Sequence, residues 1–228
     1  MNLALVAGCC AAGAALGPFL PVGVTASDDG TVVVDGPRPV PHVARRSPWG
    51  LAMILATATL WGAFAARVGW SWALPAYLVL SAGLVALTVI DLRDQLLPRR
   101  LILAVGILSA ALLGVAAART GTGDALLRAG ISAAGAYLVF FALRFVNPRA
   151  LGGGDVNLAA LLGLALGWYS VRTVLLGLAS GMVLAALFAL GALAARRVRA
   201  DTALSYGPFL IAGAVLILLV APDGRLLC

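Results

Sequence analysis

Apolar runs separated by short polar segments dominate the chain. They cover residues 3 to 24, Trp49 to Ala66, Ala73 to Ile90, Leu101 to Ala118, about Ala125 to Val146, Val156 to Tyr169, Val171 to Ala195 and about Leu204 to Ala221. A membrane-spanning helix needs about 20 predominantly apolar residues. The pattern therefore predicts an all-α, polytopic membrane helix bundle with about eight transmembrane helices. Pro18 and Pro21 interrupt the first run, which a membrane helix accommodates as a kink. The sixth run is short. Gly163 with Gly167 and Gly177 with Gly181 have the four-residue spacing that lets membrane helices approach closely.

One long polar segment breaks the pattern. Residues 25 to 48 hold Asp28, Asp29, Asp35, four prolines, His42 and Arg45-Arg46, with a short strand expected over Thr31 to Asp35. The chain thus divides into a first helix (1–24), a short cytoplasmic loop without a zinc motif (25–48) and a membrane core (49–228).

Composition agrees with lipid as the solvent. Of 228 residues, 62% are hydrophobic and 11% charged, against about 25% charged in soluble domains. All 16 basic residues are Arg and all nine acids are Asp. A net charge of +7 would suggest nucleic acid in a soluble protein, but these arginines lie between hydrophobic spans, where they act as topology determinants; no nucleic-acid partner is expected. With eight spans, Arg38, Arg45, Arg46, Arg93, Arg99, Arg100, Arg144, Arg149, Arg196, Arg197 and Arg199 share one side, and only Arg67, Arg119, Arg128, Arg172 and Arg225 the other. By the positive-inside rule the first side is cytoplasmic and both termini are outside a cell membrane.

The candidate chemistry is acidic. Cys9, Cys10 and Cys228 form no C-x-x-C pair and His42 stands alone, so neither a metal site, a dithiol site nor a Ser-His-Asp set is signalled. No cofactor is expected. Gly152-Gly153-Gly154-Asp155 opens the sixth run, and Asp91 ends the third. Acids at the rim of a membrane helix are costly and mark functional sites, and glycines without Cβ atoms permit close backbone approach. Both aspartates fall on the predicted cytoplasmic side. Two neighbouring carboxylates do not both ionise readily, so one can act as general base and the other as general acid.

Asp91, five residues, Leu97-Pro98, and later Gly152-x-Gly154-Asp155 together resemble the type IV prepilin peptidases, membrane aspartic endopeptidases. The resemblance runs from about Arg45 to Phe209 and takes in Tyr206-Gly207-Pro208-Phe209-Leu210; Gly17-Pro18-Phe19-Leu20 is similar to the family's first span. It implies that Asp91 and Asp155 are the catalytic pair; Gly152, Gly153, Gly154, Asp94, Pro98 and Asn157 are expected to support the site. It also implies a prepilin-like substrate, with a basic leader in the cytoplasm and a hydrophobic helix in the lipid bilayer. Full-length members carry two C-x-x-C pairs in the first loop, associated with zinc and with methylation of the new amino terminus. Residues 25–48 contain no cysteine, so peptidase activity without methyltransferase activity is expected. The chain also departs from the family at Asn157, where Lys is frequent, and at Arg99, where Asn or Asp is frequent.

Three other readings stay open. A presenilin-type intramembrane aspartic protease also uses G-x-G-D, although its first acid follows a tyrosine where Asp91 follows Ile90. A small proton-coupled transporter would use membrane acids as relays, and a catalytically silent partner of a pilus assembly would need neither acid.

Overall fold

The computed structural model describes residues 3–16, 24–26, 32–34, 48–94, 97–146, 151–195 and 206–220. Among them are eight helices: α1 (Leu3–Leu16), α2 (Pro48–Val68), α3 (Leu74–Asp94), α4 (Arg99–Thr120), α5 (Gly123–Val146), α6 (Gly153–Gly167), α7 (Val171–Ala194) and α8 (Gly207–Val220). Strands β1 (Val24–Ala26) and β2 (Val32–Val34) pair antiparallel with Thr25 opposite Val33. The strand expected near Thr31 is present, so a small antiparallel pair joins the helices among the described residues. The rest of the 25–48 loop, His42 included, lies outside the described residues.

Five helices, α2, α3, α4, α5 and α7, are long and apolar enough to cross a membrane. The chain is thus a multi-pass helical membrane protein, with five long spans where the run pattern predicted about eight. The difference is one of length. Helix α6 has 15 residues, about 22 Å at 1.5 Å per residue, against about 30 Å of hydrocarbon. Helices α1 and α8 have 14 described residues each.

Short as it is, α6 is the centre of the bundle. Val156, Leu158, Ala159, Leu161, Leu162, Ala165 and Leu166 are all buried, and α6 packs extensively on α4, α5, α7 and α8. Only a narrow face, Asn157, Ala160 and Leu164, is half-buried, and a helix covered almost all round needs little polar surface, which explains why its run is apolar apart from Asn157. Its small residues set the α5 contact. A Cβ at Gly163 would lie 2.7 Å from the Ser132 carbonyl oxygen and 2.9 Å from Ala136 Cβ. At Gly167 it would lie 2.5 Å from Ser132 Cβ. The second expected pair acts likewise: Gly181 abuts Leu210 of α8, where a Cβ would come within 2.7 Å of the Leu210 Cα. In lipid, where burial of apolar surface gives no drive between helices, such close packing holds the bundle together.

Candidate active site

Two buried stripes place the two acids. On α3, Tyr77, Leu80, Leu84 and Leu87 are almost fully buried, and their three- and four-residue steps continue to Asp91, 3% exposed. On α6, Leu166, Leu162 and Leu158 continue back to Asp155, 6% exposed. Each carboxylate therefore occupies the last position of an apolar stripe, at the same end of the bundle. They are near enough that the charge of Asp91 acts on Asp155, as does that of Arg144, in the opposite sense.

The α3–α4 connection approaches the acids through a buried Pro98, which caps α4 and whose carbonyl accepts the Leu101 and Ile102 N–H groups. Just before it, Leu97 reaches α6. A Cβ at Gly154 would overlap Leu97 Cβ and lie 3.3 Å from Leu97 Cδ1. Glycine at 154 thus makes room for the loop, and the α3 and α6 backbones need not touch. Side chains bridge the two helices instead, as where Tyr77 donates to the Ala165 carbonyl at 2.9 Å.

Three of the other expected supporting residues lie beside Asp155. Gly152 donates its N–H to Asp155 Oδ2 at 3.1 Å. This is the half of a capping box in which the third helical residue reaches back; glycine has no side chain to complete the other half. Gly153 lies under the Arg144 guanidinium, where a Cβ would sit 2.6 Å from Nη1. Asn157 donates to the Gly153 carbonyl at 3.0 Å, so it braces the first turn of α6. Gly152 and Gly153 are exposed while Asp155 is buried, which leaves a strip of bare backbone beside the carboxylate. Asp94 closes α3, but its side chain lies outside the described residues.

Two neighbours escaped the sequence reading. Arg144, counted there only as a topology determinant, is half-buried in the last turn of α5 and acts on Asp155. Gly207, noted only as part of the Gly-Pro-Phe segment, opens α8 against Asp91: a Cβ there would overlap Asp91 Oδ2 and lie 3.2 Å from Leu97 Cδ1. Only the folded chain shows that Arg144 meets Asp155, 11 positions on, and that Gly207 meets Asp91, 116 positions back; a basic residue shortly before Asp155 and a repeated Gly-Pro-Phe-Leu were the available signals. No group of three His, Cys, Asp or Glu side chains suited to a metal lies among the described residues.

A multi-pass helical membrane protein with two buried acids at one end is the class defined by this geometry. Residues 78–221 match the Type IV leader peptidase family, and the chain belongs to it. It is 34% identical over 171 residues to a prepilin leader peptidase/N-methyltransferase of Pseudomonas aeruginosa, covering 72% of this chain and 56% of that protein. A protein of the same description from Stutzerimonas stutzeri is 33% identical over 169 residues, with the same coverage. Another, from Aeromonas hydrophila, is 34% identical over 170 residues, again 72% and 56%. The chain spans little more than half the length of these relatives. No solved structure matches it.

Proposed function

We propose that the chain is an integral-membrane aspartic endopeptidase that removes the leader from type IV prepilin-like precursors, with Asp91 and Asp155 as its catalytic pair. The observation that carries the reading is the pair itself: two buried carboxylates, from α3 and α6, within each other's field and beside the exposed glycine strip. Family membership and the printed activity of the relatives support it.

The mechanism follows from sharing one proton between two acids. The ionised carboxylate takes a proton from water as the oxygen attacks the scissile carbonyl carbon. The protonated one gives its proton to the carbonyl oxygen, so a neutral gem-diol forms without a covalent enzyme intermediate. Collapse of the diol breaks the C–N bond, with a proton returned to the departing amine. The bare backbone at Gly152 and Gly153 lets an extended peptide lie close to Asp155. The arginine asymmetry, counted over eight crossings, supports a cytoplasmic site with both termini outside. A basic leader then waits in the cytoplasm while the hydrophobic helix of the precursor stays in the bilayer. The lack of cysteine in residues 25–48 supports peptidase activity without methyltransferase activity.

The test is to mix membranes carrying the protein with a prepilin precursor and find the new amino terminus by mass spectrometry. Cleavage at the junction between leader and hydrophobic helix is expected, and it is lost in Asp91→Asn and in Asp155→Asn at unchanged protein level. Full processing by either variant overturns the pair. A cut inside the apolar helix would assign a presenilin-type specificity instead.

A further inference from the structure

We propose that Gly207 is a positioning residue for Asp91: the first residue of α8 forms a wall that fixes where the Asp91 carboxylate points. The inference rests on the catalytic reading of Asp91 above. Its structural half stands without it.

Gly207 is buried, and its missing Cβ is the space that Asp91 occupies. A methyl there would overlap Oδ2 and come within 3.2 Å of Cγ. Something would have to shift, and the packing of α8 decides what. One turn on, a Cβ at Gly181 of α7 would lie 2.7 Å from Leu210 Cα and 3.0 Å from the Phe209 carbonyl oxygen, and Gly213 faces Gly181 with no room between the backbones. Helix α8 is therefore seated on α7 backbone to backbone and does not retreat. Pro208 in its first turn stiffens the entry, at a position where no helical N–H partner is lost. The carboxylate is the movable part, having two side-chain torsions.

Leu97 ties this wall to the other acid. Its Cδ1 would lie 3.2 Å from a Cβ at Gly207 and 3.3 Å from one at Gly154. One leucine thus fills the gap between the two helix starts that flank Asp91 and Asp155. A bulkier residue at either glycine would press on the same side chain. Gly207 and Gly154 act as a matched pair, one set by the carboxylate of α3 and the other by the wedge.

Displacing a reacting group by about 1 Å costs on the order of 10²-fold in rate. Gly207→Ala should therefore lower kcat about 10²-fold with KM within about threefold, because the substrate surface at Gly152 and Gly153 is untouched. The contact itself is tested in the purified protein by thermal unfolding. Gly207→Ala should lower the midpoint by about 3 °C or more in the wild-type background, and by much less in Asp91→Ala, where the added methyl enters the space left by the carboxylate. If Gly207→Ala fails to accumulate, recovery of folded protein in the Asp91→Ala/Gly207→Ala double variant reads out the same coupling. Additive losses of the midpoint overturn the contact, and a defect confined to KM overturns the positioning role. Cleavage that survives Asp91→Asn overturns the catalytic reading alone and leaves the coupling standing.

Discussion

The two ends of α6 are built on opposite principles. At its carboxyl end, side-chain donors from three helices take the carbonyls that a helix terminus leaves unpaired. Tyr77 of α3 donates to Ala165, Thr173 of α7 to Leu166 at 2.7 Å, and Arg128 of α5 to Gly167 and Trp168 at 3.0 and 2.6 Å. Rings add to this: Tyr77 lies against Phe64 and Tyr169. The amino end has bare glycines, a buried carboxylate holding the Gly152 N–H, and a second buried carboxylate from α3. One end is over-determined by hydrogen bonds. The other keeps backbone exposed and acids buried, an arrangement that costs stability and suits a site where a peptide must approach.

Substitutions at the two ends should therefore separate activity from stability. Asp91→Asn or Asp155→Asn removes one member of the proposed acid/base pair and should cut cleavage by about 10²- to 10⁴-fold, read by gel shift of a precursor, with the unfolding midpoint at least maintained because a buried charge is lost. Gly154→Leu collides with Leu97; cleavage should fall by at least about tenfold with both acids present, and equal activity would show that the loop moves aside freely. At the other end, Arg128→Ala strips donors from two carbonyls at once. It should lower stability by about 2 kcal/mol, seen as an earlier thermal transition, while kcat of the remaining folded protein stays within about twofold. Tyr77→Phe deletes one buried hydrogen bond for about 1 kcal/mol, again with cleavage intact. Smallest of all, Asn157→Ala removes one bond within the first turn of α6 and should change kcat by less than about threefold. A larger loss, concentrated in KM, would assign Asn157 to substrate contact.

Much of this was legible in the chain. The apolar runs marked eight helices, seven of them near their observed limits, because membrane spans are encoded by continuous hydrophobicity and need little tertiary information; the first run, 3 to 24, exceeded α1 (Leu3–Leu16) and took in Val24 of β1. Asp91 and Asp155 stood out because a lipid environment makes any acid conspicuous. The glycine pairs of α6 and α7 indicated close helix approach, but not which partner each would meet. Run length overstated the number of long spans, since an apolar run can be a full crossing or a short buried helix such as α6, and only the neighbours distinguish them. Arg144 and Gly207 were not placed at the site for one reason: each meets its acid through a contact between helices, and their sequence signals have innocent meanings in any membrane protein.

Local composition and spacing were enough for the solvent, the helical class and the family, and they singled out Asp91 and Asp155 as candidates. What the tertiary structure decided is how those acids are held. The Gly154 gap is filled by Leu97, Gly153 lies beneath Arg144, and Asp91 lies against the start of α8. These are contacts between segments far apart in the chain, and their existence depends on which helix faces which, a quantity that no single run of residues encodes.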